Sequence, residues 1–347
     1  MRKANLTVKS FEDTFSVQSL LASHMKCRQS KNHKREIVDF ELKLRRNLCD
    51  LSRLLLSGKY DIVHYRKFNV YEPKKREIES LSYKHRVVQM ALCFNILEPL
   101  LERHVIETNC ACRAGKGTDY ARDVLQNYIH RLSKRGKVYA LKCDVSKFFA
   151  SIDHEILIQK LSKVGFEDKT FDLLKKIINS TSGDRGLPIG NQTSQWFSLF
   201  YLDSVDRVVK EVLRCKCYVR YMDDFILLSN DKTYLKYCLT MIRQEVSRCH
   251  LKLNDKTQII TLSQGIAFLG YLFKIDSRGR LLRYYTQRAK CRIKKYFKCY
   301  NFLLTNNLVR LEDYIIPRLL CLDNLWSGRY AQKYLVHLTK KHLIKHL

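Results

Sequence analysis

The stretch Cys217-Tyr-Val-Arg-Tyr-Met-Asp-Asp-Phe-Ile-Leu-Leu228 places two adjacent acids inside an otherwise apolar run. Neighbouring side chains of an extended strand point to opposite faces, so Asp223 and Asp224 can serve one site only where the chain turns. An isolated Asp-Asp pair is usually a solvated turn, but here strand-favouring residues flank it on both sides. The stretch therefore predicts a β-hairpin that carries a metal-binding acidic turn.

The composition describes a strongly basic chain of 347 residues. Lys and Arg number 64 against 34 Asp and Glu, which gives a formal charge of +30. An excess of this size favours a polyanionic partner, and nucleic acid is the leading candidate. No apolar run reaches the roughly 18 to 20 residues that span a bilayer, and Met1-Arg-Lys-Ala-Asn5 is not followed by an apolar signal core. We therefore expect a soluble intracellular protein without a membrane partner, folded as one continuous multi-lobed body.

Thirteen cysteines raise the question of disulfides or structural zinc. Their number is odd, they are scattered from Cys27 to Cys321, and no CxxC pair occurs. Two CxC pairs, Cys110/Cys112 and Cys215/Cys217, lack a second Cys/His pair at zinc-finger spacing. The pattern favours reduced, mostly buried thiols.

Helical and strand-like patterns alternate along the chain. The segment to about Lys59 has a leucine-rich helical face, and the chain after Thr286 is predicted to be wholly helical, with aromatic residues among its cations. A basic surface with interleaved aromatics suits a nucleic-acid backbone, so we expect the final segment to bind one. Between these ends the predicted elements are strands flanking Pro73 within 68–78, a helix over 83–101, a helix after 112–118, a strand over 138–145, helices around 157–161 and 171–178, one helix over 195–213, a helix over 236–250, strands over 251–253 and 257–261, and a tight hairpin over 266–273.

Asp144 supplies a third acid, at the end of the strand predicted over 138–145. Phosphoryl transfer with a pyrophosphate leaving group requires charge neutralisation at the attacking and leaving oxygens, which two carboxylate-bound Mg²⁺ ions can supply. Mg²⁺ prefers oxygen ligands to thiols, which argues against Cys143 as a ligand. Asp144 alone would be interpreted as a strand-terminating acid, but the acidic hairpin supplies its partners. The three acids predict a two-metal site, in which Mn²⁺ can substitute for Mg²⁺.

Tyr221-Met-Asp-Asp224 resembles the signature of reverse transcriptases, and other blocks follow in that family's order. The resemblance runs from about Lys59 to Trp326, and its further blocks are Pro73-Lys-Lys-Arg76, Asp144 with Phe149, Gly186-Leu-Pro-Ile-Gly190, Leu253-Asn-Asp-Lys256 and Phe268-Leu-Gly-Tyr271. It implies an α+β right-hand polymerase with fingers, a palm of antiparallel sheet and helices, and a helical thumb. The implied boundaries are an N-terminal helical basic extension over 1–58, fingers over 59–137, a palm over 138–280 with part of the fingers at 160–185, and a thumb over 281–347.

The resemblance also implies an activity, partners and residue roles. The protein would be an RNA-directed DNA polymerase, a nucleotidyltransferase that uses template RNA, a DNA primer or cDNA, and dNTPs. Asp223 would be the more direct metal ligand of the acidic pair. The implied metal site comprises Asp144, Val145, Asp223 and Asp224. The implied primer grip comprises Phe268, Leu269, Gly270 and Tyr271.

A second implied group contacts the incoming nucleotide. Arg76 and Lys74 would neutralise the triphosphate through charge-assisted contacts. Phe149 would stand under the sugar and exclude a 2′-hydroxyl by bulk, and Lys256 would act near the pyrophosphate as an acid. The whole group is Lys74, Arg76, Phe149, Ile189, Gly190, Gln195 and Lys256.

One block departs from the pattern of most reverse transcriptases. They carry Gln-Gly with a later Ser-Pro, whereas this chain has Ile189-Gly190 and Ser194-Gln195. That form is similar to the reverse transcriptases of diversity-generating retroelements, as are Val70-Tyr-Glu-Pro73 and Trp326-Ser-Gly328. The similarity implies error-prone copying of a template-repeat RNA at adenines, known as mutagenic retrohoming, in the cytoplasm of a bacterial or phage-infected cell. It also implies a small basic, oligomeric accessory variability protein as a partner.

Three other classes of enzyme and one class of binding protein stay open. A group II intron protein shares the polymerase blocks, but only about 60 residues follow Thr286, too few for a DNA-binding and endonuclease module. A retron or phage-defence reverse transcriptase is a further alternative, and Ser194-Gln195 argues against it. A degenerate polymerase fold that only binds RNA would fit the charge, but Asp144 and the acidic pair favour an enzyme.

Overall fold

A computed structural model of the chain describes residues 7–62, 65–71, 75–181, 183–318 and 329–343. Its helices are α1 (Phe11–Thr14), α2 (Val17–Cys27), α3 (Arg35–Glu41), α4 (Leu44–Leu56), α5 (Tyr83–Leu92), α6 (Glu98–Leu101), α7 (Thr118–Ser133), α8 (Phe148–Ser151), α9 (His154–Leu161), α10 (Asp168–Ile178), α11 (Gln192–Tyr201), α12 (Asp203–Arg207), α13 (Lys232–Arg248), α14 (Gln287–Thr305) and α15 (Arg329–His342). Three π-helical segments accompany them, at Cys93–Leu97, Val208–Val212 and Leu311–Ile315.

The strands are short and pair antiparallel throughout. They are β1 (Arg66–Val70), β2 (Arg76–Ser80), β3 (Tyr139–Asp144), β4 (Tyr218–Tyr221), β5 (Asp224–Ser229), β6 (Gln258–Thr261), β7 (Ile266–Phe268), β8 (Tyr271–Ile275) and β9 (Leu281–Tyr285). They form a hairpin of β1 and β2, a four-stranded sheet in the order β4-β5-β3-β6, and a three-stranded sheet in the order β7-β8-β9.

The chain divides into two compact units, each built from separate stretches of sequence. The first unit comprises Met1–Cys112, Val145–Leu213 and Met241–Asn254. The second comprises Arg113–Asp144, Arg214–Thr240 and Asp255–Leu347. The subdomain boundaries implied by the family resemblance stay a prediction beside this division.

The first unit is mainly helical. Its N-terminal helices begin at serine caps, because the Ser10 side chain accepts a hydrogen bond from the Asp13 amide at 3.0 Å and Ser16 accepts one from the Ser19 amide at 3.3 Å. The amphipathic pattern of α4 is confirmed, with Leu48, Leu51, Ser52 and Leu55 buried. The helical character predicted up to about Lys59 is therefore correct for the described part of that segment.

The second unit contains the two larger sheets. Strand β3 lies between β5 and β6, and its core residues Ala140, Leu141 and Cys143 are fully buried. Strand β5 is buried through Phe225, Ile226, Leu227 and Leu228. This apolar centre fixes the four-stranded sheet and leaves the acids at the strand ends.

The predicted elements and the structure differ at three places. The helix predicted over 195–213 is two helices, α11 and α12, separated at Leu202 and followed by a π-helical turn. The strand predicted over 251–253 is reduced to an isolated bridge between Leu253 and Val145. Strand β9 was not predicted. Its five residues follow a tight turn in which Asp276 accepts hydrogen bonds from the Arg278 and Arg280 amides at 2.9 and 2.8 Å, too short a stretch to show periodicity.

The thiols and the membrane prediction can be compared with the described residues. Every cysteine in the described ranges is unbridged, and most of these side chains are buried, as predicted. Within the same ranges, no helix combines the length and apolar character needed to cross a bilayer. Cys321 lies outside the described residues.

Candidate active site

The three acids meet at one end of the four-stranded sheet, within the second unit. Strands β3 and β5 pair in a register that places Asp144 directly opposite Asp224. Strands β4 and β5 pair through Tyr221 and Asp224, so Met222 and Asp223 form a two-residue turn between them. The predicted acidic hairpin is confirmed, and the sheet register brings Asp144 to it.

The turn itself is held in an uncommon backbone conformation. Met222 has a φ of 58°, and both hairpin turn types, I′ and II′, place a positive φ at this first central position. A left-handed conformation costs a non-glycine residue about 1–2 kcal/mol. Arg220 stabilises the turn, because its fully buried side chain donates a hydrogen bond from Nη1 to the Met222 carbonyl at 3.0 Å. The buried guanidinium thus helps to hold the acids at the tip.

Asp224 has a perturbed pKa. Burial raises its pKa to about 6, and the negative charges of Asp144 and Asp223 act in the same direction. Lys142 opposes them, with its Nζ 3.4 Å from Asp224 Oδ2. Lys142 lies two residues before Asp144 on β3 and is therefore diagonally opposite Asp224 on β5. It also donates a hydrogen bond to the Ala267 carbonyl at 2.6 Å. The Lys142 ammonium group therefore partly offsets the rise in the pKa of Asp224.

In the first unit, the loop at residues 186–190 is attached to the segment that carries Phe149. The Gly186 amide donates to the Ile152 carbonyl and the Leu187 amide donates to the Phe149 carbonyl, both at 2.8 Å. Gly186 has a φ of 97°, and a Cβ there would lie 3.5 Å from the Ala150 carbonyl oxygen. That is an ordinary contact distance, so the positive φ, and not a lack of space, favours glycine at this position.

The other end of the same loop lies against β2, the strand that begins at Arg76. Gly190 has a φ of 119°, and a Cβ there would lie 3.4 Å from Ile78 Cγ2. The following residue, Asn191, donates from Nδ2 to the Tyr65 hydroxyl at 3.2 Å. The loop thus brings Gly190 to the strand of Arg76 and connects it to the backbone of Phe149 at its other end.

The chain is similar to known proteins in its family and its fold. The family model described as "Reverse transcriptase (RNA-dependent DNA polymerase)" matches residues 66–273, which runs from β1 into β8 and includes all three acids. The chain belongs to the reverse transcriptase family. The protein is accordingly an RNA-directed DNA polymerase, a nucleotidyltransferase.

Two solved structures are similar to the chain. A telomerase from Candida albicans, in complex with a fragment of telomeric RNA, is 12% identical with a TM-score of 0.51, covering 82% of this chain and 55% of that one. An apo telomerase from Candida tropicalis, truncated from its C-terminal domain, is 13% identical with a TM-score of 0.48, covering 64% of this chain and 56% of that one. The reverse transcriptase therefore spans little more than half of these proteins. No curated protein sequence matches it. The predicted α+β right-hand polymerase fold is confirmed by the family match and the first telomerase.

Reverse transcriptase domains generally use divalent metal ions, and the donor chemistry of the acidic cluster fits such an ion. Asp224 Oδ1 is buried and accepts no hydrogen bond from the described residues. Carboxylate oxygens are the donors that hard divalent cations prefer. Across the described ranges, however, no three His, Cys, Asp or Glu side chains are grouped closely enough to hold a metal as they stand. The reverse transcriptase thus has suitable donors at one sheet end, but their side chains are not closed around a centre.

The remaining predicted residues of the reverse transcriptase are distributed over both units. Val145 lies in the first unit with a buried aliphatic side chain, so only its backbone carbonyl could contact a metal. Ile189 is half-buried and Gln195 is exposed on α11. Lys256 is exposed in the second unit, just before β6. Lys74 lies outside the described residues, together with Pro73 and Trp326.

Phe268, Leu269, Gly270 and Tyr271 form the end of the β7–β8 hairpin in the second unit, as predicted. Phe268 pairs with Tyr271, which leaves Leu269 and Gly270 as the two-residue turn. Their φ values are 45° and 90°, so both residues adopt the left-handed region, as a type I′ turn requires. The tight hairpin is confirmed, and its role as a primer grip stays a prediction.

Sequence reasoning missed a group of polar residues in the first unit. Asp153 caps α9, since its Oδ1 accepts hydrogen bonds from the Glu155 and Ile156 amides at 3.1 and 3.2 Å. Its Oδ2 accepts one from His250 Nδ1 at 2.9 Å, and Arg185 Nε lies 3.5 Å away. Burial opposes ionisation of Asp153, but these hydrogen bonds and charges outweigh it and lower its pKa. An acid directly before a helical pattern is an N-cap signal, so the capping role could have been found.

His154, the next residue, connects α9 to the loop at residues 186–190. Its Nε2 lies 2.7 Å from the Gly186 carbonyl, which requires the proton on that nitrogen. Its backbone amide donates to the Asp184 carbonyl at 3.0 Å. The start of α9 is thereby hydrogen-bonded to the beginning of the loop, whose other end lies against β2.

Proposed function

We propose that this reverse transcriptase belongs to a diversity-generating retroelement and copies a template-repeat RNA into cDNA with errors at adenines. The observation that carries the proposal is Ile189, an apolar residue in a loop attached both to the Phe149 backbone and to β2. Most reverse transcriptases carry an amide at the equivalent place in this block. Ser194 and Gln195, at the start of α11, complete the same sequence form.

The chemistry proposed is two-metal nucleotidyl transfer. Asp144, Asp223 and Asp224, with the Val145 carbonyl, would hold two Mg²⁺ ions, for which Mn²⁺ can substitute. The bound ions would neutralise charge at the attacking and leaving oxygens. Lys142 limits the repulsion among the acids before metal is bound, because its Nζ lies 3.4 Å from Asp224 Oδ2. The orphaned Asp224 Oδ1 supports a cation-binding role for that acid.

The nucleotide-binding roles are proposed residue by residue. Arg76 and Lys74 neutralise the triphosphate, and Lys256 acts near the pyrophosphate. Phe149 selects deoxynucleotides by steric exclusion of a 2′-hydroxyl. The Leu187 amide donates a hydrogen bond to the Phe149 carbonyl, and this bond supports the proposed position of the Phe149 side chain by fixing its backbone. Gln195, exposed on α11, and Gly190 complete the proposed nucleotide contacts.

Infidelity follows from the residue type at position 189. An amide that hydrogen-bonds the nucleotide checks its geometry, and one such bond contributes about 1 kcal/mol, or several-fold in discrimination. Ile189 has no donor or acceptor in its side chain, so that check is absent. The loop attachments at Gly186 and Gly190 make the loss a local one, since the backbone around position 189 stays held.

The partners proposed are template RNA, a DNA primer or cDNA, dNTPs and a small basic, oligomeric accessory protein. Helix α14 supports nucleic-acid binding, because Tyr296 and Phe302 are 46% and 59% exposed among its many cations. Exposed aromatic rings stack on bases while Lys and Arg neutralise phosphates. Cytoplasmic localisation in a bacterial or phage-infected cell belongs to the same proposal.

Two experiments test the proposal at its two levels. Primer extension on an RNA template with Mg²⁺ should give cDNA with the wild-type protein and none with Asp223→Ala. Sequencing that cDNA should then show substitutions concentrated opposite template adenines. Ile189→Gln should lower the adenine error several-fold, whereas Ile259→Gln, a matched change at a half-buried strand residue, should leave it unchanged.

The outcomes separate the alternatives. Equal extension by the wild type and Asp223→Ala would overturn the assignment of the acids. A low and even error rate at all four template bases would favour a group II intron, retron or phage-defence enzyme. An adenine error that Ile189→Gln leaves intact would remove position 189 from the explanation.

A further inference from the structure

We propose that Arg122 is a positioning residue that locks the Leu269–Gly270 turn and so fixes the primer terminus. The inference rests on the proposed primer-grip role of Phe268–Tyr271. It adds a residue 147 positions away in sequence that no motif includes. Arg122 lies on α7, in the same unit as the hairpin.

The turn needs external support because of its first residue. Type I′ turns place both central residues at positive φ and therefore favour Asn or Gly at the first position. Here a leucine occupies it, with a φ of 45°. A bulky residue in this conformation persists only where surrounding contacts hold it.

Arg122 supplies that support through its planar fork. Its Nε and Nη2 both donate to the Leu269 carbonyl, at 3.1 and 2.6 Å. The remaining nitrogen, Nη1, donates to Asp119 Oδ1 at 2.5 Å, one helical turn earlier on α7. The guanidinium also lies 4.8 Å from the ring centroid of Tyr271. These contacts fix the orientation of the guanidinium, which a flexible ammonium group could not reproduce.

The second carbonyl of the turn is held from another direction. Gly270 accepts hydrogen bonds from the Thr286 amide at 3.0 Å and from its Oγ1 at 3.2 Å. Thr286 is also the N-cap of α14, since Oγ1 accepts from the Ala289 amide at 3.3 Å. The turn therefore joins α7 to the start of α14, and both of its carbonyls are bound by protein donors.

The hairpin is further connected to the catalytic strand. Lys142, on β3, donates to the Ala267 carbonyl at 2.6 Å and lies beside Asp224. Hydrogen bonds at Ala267 and Leu269 fix the position of the hairpin relative to the acids of the same unit. Loss of the Arg122 hydrogen bonds should make the Leu269–Gly270 turn more mobile, while the Lys142 hydrogen bond to Ala267 stays in place. Arg122 then acts on primer binding without touching the reacting atoms.

The test compares Arg122→Gln and Arg122→Lys with Arg131→Gln in the full chain. Arg131 is the matched control, because it lies on the same helix and donates to Cys217 Sγ at 3.1 Å, not to the hairpin. We expect Arg122→Gln to raise KM for the primer–template about tenfold with kcat changed less than about twofold. Hydrogen exchange of the amides at residues 266–273 should accelerate. Arg122→Lys should recover less than half of the loss, and Arg131→Gln should match the wild type.

Three results would overturn the inference. Unchanged exchange in Arg122→Gln would show that the turn does not depend on the guanidinium. Faster exchange with an unchanged KM would show that the turn does not position the primer. Equal effects in Arg131→Gln would indicate general loosening of α7. If Arg122→Gln does not fold, Arg122→Lys carries the test, since it keeps the charge and removes only the fork. The exchange measurement needs no nucleotide addition, so its outcome is separate from that of the primer-extension test of the proposed function.

Discussion

Replacement of Asp153 should destabilise the first unit strongly, although Asp153 is not one of the acids of the polymerase motif. One carboxyl group performs two tasks there. Oδ1 caps α9 and Oδ2 accepts a hydrogen bond from His250, 97 residues away in sequence. Asp153→Ala removes both tasks, whereas Asp153→Asn keeps a capping oxygen and removes the charge.

The expected change in the free energy of unfolding follows from these contacts. Loss of an N-cap costs about 1 kcal/mol. Loss of a hydrogen bond to a buried charged group costs about 1.5–3 kcal/mol, and the half-exposed pair with Arg185 adds little. We therefore expect Asp153→Ala to lower the free energy of unfolding by about 3 kcal/mol and Asp153→Asn, which keeps the cap, by about 2 kcal/mol. The carboxyl pKa is lowered in the folded state, so its contribution is full above the unfolded value near pH 4 and is lost as the pH falls through the folded value.

The assay is urea denaturation followed by tryptophan fluorescence. The chain has two tryptophans, and Trp326→Phe leaves Trp196 as the only reporter. Trp196 is buried on α11 in the same unit as Asp153, so it reports on that unit. Measurements at pH 7 compare the two variants with their Trp326→Phe parent. A loss below about 1 kcal/mol in Asp153→Ala, or equal losses in both variants, would refute the assignment of the cap to Oδ1 and of the His250 hydrogen bond to Oδ2.

Three further outcomes are expected. Met222→Gly should raise the free energy of unfolding by about 0.5–1 kcal/mol in thermal melts, because relief of a φ of 58° exceeds the added entropy of the unfolded glycine; a loss would show that the methionine side chain matters more. Burial, followed by the charge of Lys84, lowers the pKa of His85 to about 4, so stability should be full above about pH 6.5 and fall by roughly 1.5–3 kcal/mol by pH 4. His85→Phe should flatten that fall in urea titrations at pH 7 and 4.5, and an unchanged slope would assign it to other groups. Phe149→Ala should reduce the preference for dNTPs over rNTPs at least about tenfold in single-nucleotide incorporation, and an unaltered ratio would exclude Phe149 as the selecting residue.

The elements predicted correctly from the sequence are those whose side-chain pattern lies within one short stretch. The acidic hairpin, the β7–β8 hairpin and the amphipathic α4 each depend on side-chain alternation or helical spacing within a dozen residues or so. Long-range partners carry no such signal. Nothing near Leu269 indicates Arg122, and nothing near Asp153 indicates His250, because both pairs are created by the fold.

The same limit explains the errors in the predicted elements. The interruption at Leu202 leaves the apolar pattern of 195–213 intact, so periodicity shows one helix where the structure has two. The family resemblance predicts roles for residues of the polymerase blocks. It did not indicate Lys142, whose importance lies in its distance to Asp224 and Ala267 and not in a motif.

The pairing of β3 with β5 means that the hydrophobic core sets the position of the proposed catalytic acids. Asp144 faces Asp224 because Cys143 faces Phe225 and Leu141 faces Leu227 further along the same two strands. A slip of one residue would turn one set of side chains to the opposite face of the sheet. Mutations that disturb those buried pairs should therefore silence the enzyme while every acid is intact, and screens for loss of polymerase activity should recover core residues beside the aspartates.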